Sequence, residues 1–152
     1  MADLPVVSSS AQIKNMTKIN QADMRQVILT KYLKKHNSPL ASYSACFIFN
    51  ADKYGLDWRL VPAISGVEST FGKRIPYQSY NAYGWANGKY TFKSWENSIE
   101  IVSKTLREKY YDNGTPSIAK IARRYAPPSN TWERNVKWFM SEIDNTPVRF
   151  TL

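Results

Sequence analysis

Apolar residues recur at intervals of three and four positions along most of this 152-residue chain, and Pro and Gly residues interrupt the pattern at several points. This spacing places apolar side chains on one face of an α-helix, while Pro and Gly mark where helices begin and end. The pattern predicts about six helices, over residues 21–36, 39–54, 57–69, 94–110, 115–125 and 130–144. We therefore expect a mainly α fold around a buried third helix.

Residues 71–93 depart from the helical pattern, because Gly, Pro, Asn and aromatic residues replace it. Asn87-Gly88 is a favoured two-residue hairpin turn, and Tyr83–Ala86 and Lys89–Phe92 flank it as short segments suited to strands. We expect a small β-hairpin over Tyr83–Phe92 that lines one side of a cleft. The predicted fold class is thus mainly α (α+β).

Composition favours one globular domain without cross-links. Hydrophobic residues make up 43% of the sequence, enough for a core, so we expect residues 21–152 to form one domain after a flexible N-terminal arm or linker remnant at residues 1–20. No apolar run reaches the roughly 18 residues of a membrane-spanning helix, and no export signal or anchor is visible. Cys46 and His36 are the only Cys and His, so neither a disulfide nor a metal site is expected, and no cofactor is predicted.

The chain is strongly basic, with 21 Lys and Arg residues against 12 Asp and Glu residues and a formal net charge of +9. Such a charge attracts nucleic acid, anionic membrane surfaces, or acidic polymers such as bacterial cell wall. The basic residues are scattered, with no run of five like charges that would mark a nucleic-acid arm. Five Trp and ten Tyr residues supply flat rings that suit sugars as well as unstacked bases. Charge alone leaves these partners open.

Glu68 is the residue whose position most suggests chemistry. On the predicted third helix it falls within the apolar arc, between Val61 and Ile64. A carboxylate there loses hydration, which raises its pKa and makes it a proton donor near neutral pH. The alternative from spacing alone is a helix-end glutamate held by Arg123, Arg124 or a backbone amide.

Three segments resemble the lysozyme-like superfamily, in particular bacterial lytic transglycosylases and family 73 endo-β-N-acetylglucosaminidases. Ala63–Gly72 reads as the Ala-Ile-x-x-x-Glu-Ser-x-x-Gly run that in those enzymes ends a helix with the catalytic glutamate, here Glu68. Tyr80–Trp85 is similar to the Asn-x-x-Gly segment that lines their cleft. Ile121–Pro128, together with Trp132, resembles the segment whose tyrosine faces the acid.

The resemblance implies a lysozyme-like helical domain that cleaves the glycan strands of bacterial peptidoglycan, with Glu68 as general acid and base. The activity would be that of a lytic transglycosylase or of an endo-N-acetylglucosaminidase or muramidase-type hydrolase. It implies a location outside the cell or in the cell envelope, with peptidoglycan as the partner. We also expect a monomer, and the residue pattern predicts no nucleic-acid partner and no transmembrane segment.

The resemblance also implies roles for residues around Glu68. Tyr125 would steady the positive charge of the transition state or hydrogen-bond Glu68; without the resemblance it is equally well a core tyrosine. The other expected positions share a role in substrate binding, with loop, helix-end or core structure as the alternative. They are Ser69, Ser79, Tyr80, Asn81, Tyr83, Gly84 and Trp85.

The chain departs from the family in its acids, because no Asp or Glu lies between Glu68 and Glu96. Double displacement and water activation both need two carboxylates that flank the bond. Glu96 is the possible second acid, although an acid in the first turn of a helix ordinarily only favours the positive helix end. A lytic transglycosylase needs a single carboxyl, so the gap favours that reaction without excluding hydrolysis.

The rival interpretation is a module without enzymatic activity. It would be a basic helical domain that binds nucleic acid, or a degenerate lysozyme-like domain that binds glycan without cleaving it. No clustered basic stripe or recognition-helix motif favours nucleic acid, and the presence of Glu68 argues against degeneracy.

Overall fold

The computed structural model describes residues 24–110 and 117–149, and these residues form six α-helices. They are α1 (residues 24–35), α2 (Ser44–Tyr54), α3 (Leu60–Ser69), α4 (Trp95–Tyr110), α5 (Ile118–Tyr125) and α6 (Trp132–Asp144). Two 3₁₀ helices, Pro39–Tyr43 and Trp85–Gly88, precede α2 and α4. The mainly α prediction is confirmed. The arm predicted at residues 1–20 lies outside the described residues, as do the predicted helix starts at residues 21 and 115.

Local sequence signals set the ends of the helices around the core. Ser38 Oγ accepts a hydrogen bond from a backbone N–H of the next turn (3.0 Å), and Pro39 follows it as the first residue of the 3₁₀ helix. Gly55 ends α2 in the left-handed conformation, at φ 63°. Thr70 ends α3 in the same way, at φ 53°. Because α3 stops there, Glu68 lies in its last turn.

Helix α3 is the most buried element, with eight of its ten residues inside the protein. It packs against α6 and α4, α2 also packs against α4, and α5 packs against α6. The chain after α3 folds back onto the helix at Gly66, where an added Cβ would lie 2.6 Å from the Phe71 ring and 3.1 Å from Phe139. Each fully buried Leu, Ile or Phe of this core contributes roughly 1.5–3 kcal/mol of stability. The core therefore holds the end of α3 rigidly. None of the helices in the described ranges is long and apolar enough to cross a membrane.

The β-hairpin predicted over Tyr83–Phe92 is absent, since the described residues contain no strand. The chain does reverse here, through Ala86, Asn87 and Gly88 at φ values of 51°, 53° and 82°. The buried Asn81 amide donates to the carbonyls of Trp85 (2.9 Å) and Tyr90 (3.0 Å), two acceptors on either side of the turn. The Asn81 side chain and the backbone bonds Lys89 N–H to Ala86 O (3.0 Å) and Tyr90 N–H to Trp85 O (3.4 Å) thus hold the reversed segment together without a strand ladder.

Candidate active site

The Glu68 carboxyl group lies half-buried where α3 meets α6. Its Oε1 accepts a hydrogen bond from Trp132 Nε1 at 2.7 Å. Burial raises the pKa of Glu68, and the bond from the indole N–H opposes that shift without cancelling it. The last turn of a helix is its negative end, which disfavours the carboxylate further. The arrangement makes Glu68 a proton donor at higher pH than an ordinary glutamate.

The two oxygens of the Glu68 carboxyl group have different surroundings. The Trp132 indole is a donor only, so Oε1 serves as its acceptor and the proton is favoured on Oε2. Oε2 faces Gly84, where an added Cβ would clash with Oε2 and lie 3.2 Å from Cδ. Gly84 also has a left-handed φ of 68°. The backbone conformation therefore favours glycine at this position, and the acid beside it leaves no room for a Cβ.

Tyr125, at the end of α5, connects this cluster to the loop that follows α3. Its hydroxyl donates to the Tyr83 carbonyl oxygen, and its ring lies against Trp132 with centroids 5.2 Å apart. Burial raises the pKa of Tyr125 well above its ordinary value, and the nearby Glu68 charge acts in the same direction. Tyr125 is therefore a neutral phenol that positions the backbone immediately before Gly84.

A groove of about 380 Å³ is lined by residues next to Glu68, although Glu68 itself is not among its described lining residues. Two neighbours of Glu68, Gly84 and Tyr125, line it. The half-buried Trp85, also in the lining, lies against Tyr90 with 5.7 Å between ring centroids. The described lining residues come from the loop before α4, from α4 and from α5: Gly84, Trp85, Ala86, Asn87, Tyr90, Thr105, Lys109, Tyr110, Arg124 and Tyr125. This lining combines aromatic rings with two cations, a surface suited to a polar ligand with flat apolar faces.

Four of the predicted substrate-binding residues are buried and hold the loop in place instead of lining the groove. The Ser69 hydroxyl lies 2.8 Å from the Ala82 carbonyl and accepts from the Gly72 N–H at 2.8 Å. Ser79 Oγ accepts from the Asn81 N–H (3.2 Å). The other two are Asn81, at the turn described above, and Tyr83, whose ring is fully buried.

The contacts found for Tyr80 and Glu96 are with residues other than Glu68 and its neighbours. Tyr80 packs edge-on against Trp95 of α4, with ring centroids 5.3 Å apart. Glu96 is exposed in the first turn of α4, and its charge contributes to a raised pKa of the Cys46 thiol, which burial dominates. The structure therefore brings together Glu68, Tyr125, Gly84 and Trp85 from the predicted set.

The sequence assigned no role of its own to Trp132, yet among the described side chains it is the one that donates a hydrogen bond to the Glu68 carboxyl group. Trp132 is only 3% exposed in the fold, so its indole N–H needs a buried partner, but no pattern in the sequence identifies Glu68 as that partner. Lys109, Tyr110 and Arg124 were likewise not assigned to the groove. Their contribution depends on how α4 and α5 pack, which no local pattern indicates.

No family model, curated protein or solved structure matches the chain. Within the described residues, no group of three or more His, Cys, Asp or Glu side chains is placed to hold a metal ion.

Proposed function

We propose that this protein cleaves the glycan strands of bacterial peptidoglycan, between N-acetylmuramic acid and N-acetylglucosamine, with Glu68 as general acid and then general base. The observation that carries the proposal is the Glu68 carboxyl group itself: half-buried, with a raised pKa and held through Oε1 by Trp132. Its neighbours Gly84 and Tyr125 line a groove that also carries aromatic rings. The resemblance of Ala63–Gly72 to lytic transglycosylases gives the substrate class.

The reaction begins with proton transfer from Glu68 Oε2 to the glycosidic oxygen, as the bond from that oxygen to the sugar carbon breaks. Positive charge develops on the sugar ring, while the resulting carboxylate keeps the Trp132 N–H as a charge-assisted partner. The carboxylate then takes a proton from the sugar's own hydroxyl, whose oxygen bonds to the same carbon and closes an anhydro ring. In hydrolysis, water replaces that hydroxyl.

The transglycosylase course is preferred because it needs one carboxyl group. Among the described residues, no second carboxylate contributes to the raised pKa of Glu68. Glu96, the next acid along the chain, is exposed on α4. Two-carboxylate mechanisms place the acids roughly 5–9.5 Å apart across the scissile bond.

The test is mass analysis of purified peptidoglycan after incubation with the protein. Anhydro-muropeptides identify a transglycosylase, and reducing ends identify a hydrolase. E68Q keeps the acceptor for Trp132 and removes the titrating proton, so cleavage falls by at least about 100-fold while the fold is kept. The matched control E96Q keeps most of the activity. Full cleavage by E68Q overturns the assignment, and intact glycan with wild-type protein favours a binding module.

The net charge of +9 supports the proposed location outside the cell or in the envelope, because an anionic wall attracts a basic protein. This attraction depends on ionic strength and acts over about 10 Å at 0.1 M salt.

A further inference from the structure

The part of the groove formed by the end of α4 and by α5 is cationic. Arg124 Nη1 donates to the Lys109 carbonyl oxygen at 2.7 Å, and its guanidinium carbon lies 5.8 Å from the centre of the Tyr110 ring. These three residues also line a second hollow of about 380 Å³ that shares this part of the surface. We call Lys109, Tyr110 and Arg124 the cationic part of the groove. It places two positive charges beside an aromatic ring.

The described residues of the groove supply no negative charge to balance this pair. None of the groove's described lining residues is acidic, and residues 73–93 contain no Asp or Glu. Glu108 is the acid nearest in sequence, but its carboxylate lies 3.8 Å from Lys104 Nζ, one turn away on α4. The ion pairs found between described residues include neither Lys109 nor Arg124. No described acid therefore neutralises the charge at this part of the groove.

We propose that the cationic part of the groove is a subsite for a carboxylate carried on the glycan strand. This inference rests on the proposed function and sharpens its substrate class: acidic strands rather than neutral polymers of N-acetylglucosamine. The carboxylate belongs either to the lactyl group of N-acetylmuramic acid or to the stem peptide. Arg124 offers a planar donor pair for it, Lys109 a point charge, and Tyr110 an apolar surface beside them.

The experiment measures binding in the E68Q protein, so that cleavage does not interfere. Three soluble glycans of similar length serve as probes: strands with stem peptides, strands from which an amidase has removed the peptides, and neutral N-acetylglucosamine oligomers. The variants are K109Q and R124Q, with R124K to retain the charge. K120Q is the matched control, because Lys120 is an exposed cation on the same helix that does not line the groove.

We expect K109Q and R124Q each to weaken binding of a carboxylate-bearing strand at least about fivefold, with little change for the neutral oligomer. R124K retains most of the affinity. If affinity falls only for strands that carry stem peptides, the bound carboxylate belongs to the peptide. If affinity also falls for strands without peptides, it belongs to the lactyl group. Equal losses on all three probes, or losses no larger than for K120Q, overturn the subsite. Failure of the wild-type protein to cleave overturns the proposed function instead, while the binding comparison still tests the subsite.

Discussion

Gly84 and Glu68 approach so closely that access to the acid depends on the absence of a side chain at position 84. A Cβ there would clash with Oε2, the oxygen from which the proposed reaction transfers its proton. G84A therefore displaces the carboxyl group in addition to straining a left-handed backbone.

The matched control for this variant is G88A. Gly88 also has a positive φ, 82°, but a Cβ there meets only Pro76 Cγ at 3.6 Å, an ordinary contact. We expect G88A to cost roughly 1–2 kcal/mol through backbone strain and to keep its activity. G84A should show a similar loss of stability and, in addition, a fall in turnover of at least about tenfold. Chemical denaturation and glycan cleavage measure the two effects, and equal activities of the two variants would contradict the clash.

Trp132 tunes Glu68 through a single hydrogen bond. In W132F the donor is lost, so the pKa of Glu68 rises further, because burial then acts unopposed. Cleavage needs the protonated acid and declines as pH rises through that pKa, so the alkaline limb of the pH–rate profile moves to higher pH. Turnover falls about 10- to 100-fold, since the product carboxylate loses a charge-assisted bond. An unmoved limb in a folded W132F protein would show that Trp132 only fills space.

At the scale of elements, the loop between α3 and α4 depends on Asn81. Its amide donates to Trp85 and Tyr90 carbonyls, and its Oδ1 accepts from the Trp85 N–H at 3.1 Å. N81D replaces the two donors by a buried acceptor that faces carbonyl oxygens. We expect a loss of about 2–4 kcal/mol in the free energy of unfolding, together with loss of cleavage. N130D makes the same change at an exposed site and should stay within about 0.5 kcal/mol of wild type.

Helix α5 reaches that loop through the Tyr125 hydroxyl. Y125F removes the hydrogen bond to the Tyr83 carbonyl, at a cost of about 1 kcal/mol, and frees the backbone that positions Gly84. Turnover should fall more than glycan binding, because the ring contact with Trp132 remains. Y77F is the control, since Tyr77 is 89% exposed. Separate measurements of kcat and KM decide the matter: a change in KM alone would place the hydroxyl in binding.

At the scale of the whole molecule, the buried acid makes stability depend on pH. Burial raises the pKa of Glu68 in the folded protein above its ordinary value of 4.5. The folded state then binds the proton more tightly than the unfolded chain, so this contribution to stability is complete below pH 4.5 and is lost as pH rises through the folded pKa. E68Q lacks it. In thermal unfolding, the stability of E68Q relative to wild type should increase as pH rises above 4.5. A stability difference that does not depend on pH would contradict the buried acid.

The sequence by itself determined the helices and the position of Glu68 on one of them, because these depend on interactions between residues close along the chain. Pro39 and Gly55 act through their own backbone geometry, and the apolar period of α3 dictates its burial. The sequence also indicated the reversal at Asn87-Gly88, through the left-handed conformations that these residues tolerate.

Only the tertiary structure decided which side chains meet the acid. Trp132 lies 64 positions from Glu68 and reaches it because α6 packs on α3. Asn81 bonds the two sides of the turn where strands were expected, since a buried amide must satisfy its own donors and acceptors. Polarity suggested sugar-binding roles for Ser69 and Ser79, yet packing buried both. Whether these two hydroxyl groups are buried depends on contacts between residues far apart in the chain, so the local sequence of the loop does not predict it.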